Sequence, residues 1–322
     1  MIISIASELL KKGYTVSIFS LPLKKSGRNI SIPLFYKEYF SKKLTGDIAY
    51  YIYVPLIYKL FRTSAPKIAG IHSFIVWPKF SHIPVSFPQF LYRHGILACG
   101  AIYFNYLTRN IDLRNFDAIH VPNIIAPEHV DIPIYTIPNW VDLQVFKPRK
   151  NKSDVFTIIF VGSSKWSKGY DIFYSIARYL SKKISKIRFL AVGIGKGNSL
   201  VKSYPFIYKD NLLANIYSSS HLLIHPSRAD IFGITLLESL ACGTPVLTSP
   251  LPSHQAFLPS YYICHTLRDY IYKALNIYRA WCSESDEYRL LTINARELAS
   301  NFDKKKIFPL FEKMLIEVAS KK

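Results

Sequence analysis

The feature that most limits the folds open to this chain is a recurring type of short segment, apolar on both faces. DIAYYIYV (47–54), KIAGIHSFIV (67–76), FDAIHVP (116–122) and IPIYTIP (132–138) occupy its first half. VFTIIFVG (155–162), IRFLAVGIG (187–195), SHLLIHPS (220–227) and TPVLTS (244–249) occupy its second. A sheet with one wet face would show alternating polar residues. Strands apolar throughout need cover on both sides, as in a parallel sheet flanked by helices. Helical stretches such as YDIFYSIARYLSKK (170–183) and FGITLLESLA (232–241) fall between the runs. The alternation predicts a doubly wound α/β architecture.

One core rarely serves 322 residues, so two domains are expected. PNWVDLQVFKPRKNKSD (138–154) combines two prolines with polar and basic residues and places the boundary near Lys150. The expected domains are 1–150 and 151–322. The chain opens on a helix, with Ile2, Ile5, Ala6 and Leu9 on one face and Gly13 in a C-cap position, and YTVSIFS follows as a strand.

The net charge is +20, shared equally between the two halves. Such a surface suits phosphorylated ligands or anionic headgroups. Nucleic acid is not an expected partner, because no recognition motif accompanies the charge. The longest apolar run, IAYYIYVPLIY (48–58), is too short to span a bilayer and contains Pro55. Glu8 interrupts the apolar start, so no secretory signal is read. Cys99, Cys242, Cys264 and Cys282 form no C-x-x-C pair, which fits reduced thiols rather than a disulfide framework or a zinc site. These features predict a cytoplasmic protein. Residues 35–62 mix Lys and Arg with Tyr and Phe, as segments at a membrane interface do, although a buried strand explains their middle equally well.

Two strand ends lead into loops that could meet an anion. VFTIIFVGSSKWSKGYDIF (155–173) offers a Gly/Ser loop before a helix, with Ser163 on it and Lys165 and Lys168 adding cationic reach. The Gly193-x-Gly195 turn after IRFLAV is as well explained by tight turn geometry. HPSRADIFGITLLESLACGTPVLTSP (225–250) carries two isolated carboxylates eight positions apart. Asp230 precedes a helix that begins near Phe232-Gly233, and Glu238 lies inside it. The first N–H groups of that helix, at Gly233, Ile234 and Thr235, can meet phosphate oxygens. A carboxylate further along can accept two hydroxyl hydrogen bonds, as a ribose diol requires. A helix-terminal acid plus an exposed helix glutamate would account for the same residues. His72 and His225 each sit at a strand's carboxyl end, where ligands bind in α/β folds, and each could equally be structural.

Taken together, HPSRADIFGITLLESLACGTPVLTS resembles the E-x7-E region of retaining GT-B glycosyltransferases, most closely family 4. IASELLKKGYTVSIFS, PNWVDLQVFKP and VGSSKWSKG are similar to three further motifs of that family, in the same order. The resemblance implies two Rossmann-like domains facing a cleft, with the last helix packing back on the N-terminal domain. It implies a nucleoside-diphosphate sugar as donor substrate, a glycan or lipid-linked acceptor at the cytoplasmic membrane face, and neither metal nor cofactor. By motif, Glu238 would grip the ribose, Asp230 would lie beside the donor sugar, Lys168 would meet the diphosphate, and His72 would stand in the cleft near the reacting sugar. Asp230 stands where the family has a longer glutamate, Ser163 where it has arginine, with Lys165 close by to compensate, and Trp140 where it has glycine. Ala256 sits near where a glutamate often follows. The family's first strand and Gly-rich loop would precede IASELLKKG, and the sequence from Met1 has neither. Two rival readings follow: a non-catalytic sugar-nucleotide-binding subunit and a nucleotide-sugar epimerase of the same fold.

Overall fold

The computed structural model describes residues 2–20, 36–54, 57–72, 113–123, 130–149 and 152–321. Cys99, Pro55 and the part of the KIAGIHSFIV run beyond His72 lie outside them.

In chain order the strands are β1 (Ile18–Ser20), β2 (Tyr36–Glu38), β3 (Lys42–Lys43), β4 (Ala49–Ile52), β5 (Phe61–Arg62), β6 (Lys67–Gly70), β7 (Ala118–Val121) and β8 (Ile134–Thr136). They are followed by β9 (Phe156–Val161), β10 (Ile187–Val192), β11 (Val201–Tyr204), β12 (Leu222–His225) and β13 (Val246–Thr248). Every pairing among them is parallel. Two sheets dominate, one ordered β4-β6-β7-β8 and the other β11-β10-β9-β12-β13. All eight both-face-apolar runs supply a strand to one of these sheets. β11 was not anticipated: its VKSY is half polar, as suits the sheet edge it occupies.

The second sheet is the more completely buried. All six residues of β9 and all four of β12 are buried. Its two faces carry separate apolar clusters. One includes Phe156, Phe160, Phe173 and Ile176, the other Ile159, Leu223, Leu236 and Leu240. Helices therefore cover both faces, as the sequence pattern demanded. The two parallel α/β sheets with their helices are what the expected GT-B architecture calls for.

Helix Lys304–Ala319 leaves the second body and packs on the first sheet. Ile307, Phe311, Met314 and Val318 join Ile5, Ile68, Ala118 and Ile137 in one cluster. The crossing is fastened where Val141 and Asp303 form a bridge, with Val141 N–H donating to Phe302 O at 2.9 Å and Lys304 N–H donating to Val141 O at 2.9 Å. The ammonium of Lys304 then pairs with Glu8 (3.0 Å) and Asp142 (2.6 Å). Trp140, where the family has glycine, lies edge-on to Phe308 and Phe311 of this helix, so its bulk becomes part of the crossing.

Candidate active site

The loops at the carboxyl ends of β9 and β12 are stitched together, and the stitching places the charges. After β9 the chain turns through Ser163 and the exposed Lys165 into a short 3-10 turn, Trp166–Lys168. Gly169 ends this turn in the left-handed region (φ 74°), and a Cβ there would lie 1.9 Å from the carbonyl oxygen of Pro226. Only glycine allows the two loops to approach so closely. Arg228, the one basic residue of the motif, clamps them. Its N–H donates to Ser167 O, its Nη1 donates to Trp166 O at 2.8 Å, and its guanidinium grips Asp171 through two bonds of 2.7 and 2.6 Å. The same group lies over the Trp166 ring at 4.6 Å.

This clamp carries the Lys168 ammonium to 3.0 Å from Oδ2 of Asp230. The sequence assigned these two groups to different parts of a ligand; the structure pairs them directly. His225 Nε2 donates to the same oxygen at 3.2 Å. Burial alone would raise the Asp230 pKa, but Lys168 and His225 outweigh it and hold the carboxyl well below its ordinary value. Asp230 is a fixed anion.

His254, which the sequence reading did not single out, stands beside this group. Thr248 Oγ1 donates to His225 O (2.9 Å) and therefore accepts from His254 Nδ1 (2.8 Å). Nε2 of His254 is left buried with no hydrogen-bond partner among the described residues. Ligand atoms of His225, Asp230 and His254 lie within 4.8 Å of one another, a spacing that could hold a cation. The ammonium of Lys168 already stands on the carboxylate at the heart of that trio.

Helix Ile234–Ala241 begins directly after this loop. Its N-cap is Gly233, and among the described residues no side chain caps its first N–H groups. Gly233, Ile234 and Thr235 thus bring backbone donors and the positive helix end close to Lys168 and Asp230. Glu238, one turn on, occupies a different environment. The Tyr217 hydroxyl donates to its Oε2 at 3.0 Å, and burial pushes its pKa up to about 7.

Residues 143–258, which contain this whole arrangement from Ser163 to Glu238, match the family model described as "Glycosyl transferases group 1". The match covers about a third of the chain, and this segment is similar to group 1 glycosyltransferase domains. The phosphatidylinositol N-acetylglucosaminyltransferase gpi3 subunit of Schizosaccharomyces pombe is 23% identical over 152 residues, which is 43% of this chain and 32% of that protein. The matched region therefore spans about a third of that curated relative. Among solved structures, sucrose-phosphate synthase from Thermosynechococcus elongatus superposes with a TM-score of 0.71 at 15% identity, covering 99% of this chain and 92% of that one. Anabaena HepE, solved in complex with UDP-glucose, gives 0.60 at 15% identity over 79% and 72% of the two chains.

The other sheet meets this matched region across a short bridge. Asn123, just beyond β7, donates through Nδ2 to Ile231 O at 3.0 Å, in the loop that carries Asp230. His72 lies just beyond the neighbouring strand β6, at the same carboxyl edge. It is partly exposed, and burial with the nearby His120 drives its pKa down to about 3. His72 is thus on the sheet edge that Asn123 joins to the Asp230 loop, while Lys168 and Asp230 sit together and Glu238 stands apart on Tyr217. Of the contacts that sequence reasoning missed, that of Tyr217 with Glu238 spans 21 positions and those of Arg228 with Asp171 and Trp166 span 57 and 62, and hydrophobic periodicity carries no trace of them.

Proposed function

We propose that the protein transfers a sugar from a nucleoside-diphosphate donor to a glycan or lipid-linked acceptor, with retention of anomeric configuration, as a family 4 type enzyme. The observation that carries this reading is the conjunction at the group 1 domain's helix N-terminus. A fixed anion, a lysine ammonium and uncapped backbone donors meet there, with a second, differently tuned carboxylate one turn along. The donor's diphosphate would lie on the N–H groups of Gly233, Ile234 and Thr235, with Lys168 and Lys165 assisting and Ser163 lining the loop. Glu238 would accept the ribose hydroxyls, and Asp230 would face the sugar with His72 across the cleft. Charge developing on the departing diphosphate would then be met by groups already in place, without a metal. The UDP-glucose held by HepE supports a nucleotide sugar as donor, and the phosphatidylinositol named for the gpi3 relative supports a lipid-linked acceptor.

The reading extends to a cytoplasmic protein attached peripherally to an anionic membrane face. Among the described residues no helix is long and apolar enough to cross a membrane. Phe40 is 79% exposed, and Lys37, Lys42, Lys43, Lys59 and Arg62 are exposed on the same stretch. That combination suits headgroup attraction with shallow aromatic insertion. Binding to phosphatidylserine vesicles that salt abolishes is expected; equal binding to neutral vesicles would remove this part.

The test of the main reading is incubation with UDP-glucose and a panel of lipid and oligosaccharide acceptors, following anomeric configuration by NMR. Transfer with retention is expected, unaffected by EDTA. An inverted product, or turnover that EDTA stops and manganese restores, would overturn the assignment.

A further inference from the structure

Behind His72 lies a chain of hydrogen bonds that the transfer mechanism has not used. The Tyr50 hydroxyl lies 2.7 Å from His72 Nε2 and 2.6 Å from His120 Nδ1, and His120 Nε2 lies 2.9 Å from the carbonyl oxygen of Ile137. The order of the protons follows from the far end. A carbonyl can only accept, so His120 carries its proton on Nε2. His120 is 3% exposed, and burial holds its pKa down at about 4, so the ring is neutral and its Nδ1 is an acceptor. The single proton of Tyr50 must therefore go to His120. The Tyr50 oxygen is left to accept, and only His72 Nε2–H can donate to it. A neutral His72 so held keeps a bare lone pair on Nδ1.

The surroundings are built around this relay. A Cβ on Gly70 would lie 2.2 Å from the Tyr50 hydroxyl, so the absence of a side chain there opens the path between β4 and β6. Phe311, from the helix that crosses back from the second body, packs edge-on against Tyr50 and His120 at 5.3 Å from each. Four separate elements thus converge on one hydroxyl.

We propose that Tyr50 and His120 are positioning residues that lock His72 as the Nε2–H tautomer, so that its Nδ1 accepts a hydrogen bond from a hydroxyl of the donor sugar and does not donate one. The sugar contact rests on the transferase reading; the tautomer lock does not. His72 then selects for a hydroxyl on the donor, because a ring acceptor facing a deoxygenated carbon would be left unpaired. Proton delivery from Nδ1 is excluded while the relay is intact.

The test is long-range proton–nitrogen NMR of the full chain labelled in its histidines, with His72 assigned from the spectrum of His72→Asn. A protonated Nε2 and a bare Nδ1 are expected for His72 between pH 6 and 8. Tyr50→Phe removes only the hydroxyl and should mix the two tautomers. His120→Asn, whose amide oxygen can take the Tyr50 proton, should preserve the wild-type pattern. A protonated Nδ1 in the wild type, or an unchanged His72 signal in Tyr50→Phe, would overturn the lock. UDP-glucose should shift the His72 Nδ1 resonance and UDP alone should not; a shift with UDP alone, or none with UDP-glucose while UDP perturbs other signals, would overturn the sugar contact. If neither nucleotide perturbs any signal, the transferase reading fails, and the tautomer result still decides the relay.

Discussion

Asp230 and Glu238 are eight residues apart, carry the same functional group and flank the same helix start, yet their surroundings push them in opposite directions. Both are penalised by burial. Asp230 meets a lysine ammonium at 3.0 Å and an imidazole N–H at 3.2 Å, and its pKa falls well below 3.8. Glu238 meets one phenol, which offers a hydrogen bond but no charge, and its pKa rises to about 7. The difference lies in what each backbone position can reach. Asp230 is on a loop sewn to the Lys168 turn, whereas Glu238 is on a helix facing Tyr217, from the preceding helix Asp210–Ser219. Under the proposed function one carboxylate is a permanent anion and the other is adjustable.

The harshest way to break this comparison is to neutralise Asp230. Asp230→Asn keeps the shape but removes the anion that Lys168 and His225 were arranged around. Sugar transfer should fall by about 10²–10³-fold, the range for losing one preorganised electrostatic contact. Affinity for the free nucleoside diphosphate should stay within a few-fold, since under the proposed function this residue faces the sugar, beyond the phosphates. Calorimetry with UDP beside the transfer assay separates the two effects, and equal losses in both would merge the roles assigned to the two carboxylates.

A second break leaves both carboxylates in place and disturbs only what brings Lys168 to Asp230. Gly169→Ala places a Cβ against Pro226 O in a backbone conformation that alanine disfavours. The expected cost is about 2–3 kcal/mol of folding stability, read as a lowered midpoint in urea. An unchanged midpoint would mean that the two loops are not pinned at this glycine.

How far this pairing was legible beforehand depends on the range of the interaction. Strands such as FTIIFV and LLIH announce themselves because each residue is buried locally on one face or the other. The helix start at Gly233 is equally local. The Lys168–Asp230 pair spans 62 positions and the Tyr50–His120 contact 70, so neither leaves a periodic signal. Gly70 and Gly169 are visible in the sequence as glycines, but what each makes room for is visible only in the fold. β11 escaped because an edge strand needs less apolar cover, and VKSY reads as a loop.

The comparison sharpens on the other side with Glu238→Gln. The variant keeps a partner for Tyr217 but loses the charge that, under the proposed function, strengthens bonds to ribose hydroxyls, each such bond being worth about 1.5–3 kcal/mol. Nucleotide affinity should drop by about 10-fold at pH 8, for UDP and UDP-glucose alike, with transfer at saturating donor nearly unchanged. A selective loss for UDP-glucose would move Glu238 to the sugar.

The smallest effect is a pH dependence that only Glu238 should show. Its pKa is raised to about 7 from an ordinary 4.5, so the carboxyl is largely protonated at pH 6 and largely ionised at pH 8. The ionised form accepts hydroxyl hydrogen bonds more strongly, so affinity for UDP-glucose should increase as pH rises through 7, by less than about 10-fold across that interval. UDP-glucose is the proper probe because its diesterified diphosphate does not titrate there, unlike that of free UDP. The same shift works against folding. A carboxyl whose folded pKa is raised contributes its full stability below its unfolded value, and that contribution is lost as pH climbs through 7. Glu238→Gln should therefore flatten the affinity profile and raise the melting temperature more at pH 8 than at pH 5. Asp230, with its pKa depressed, contributes stability that is present at both pH values and lost only on acidification below about 4. A profile that survives in Glu238→Gln would assign the titration to another group and leave the two carboxylates electrostatically alike.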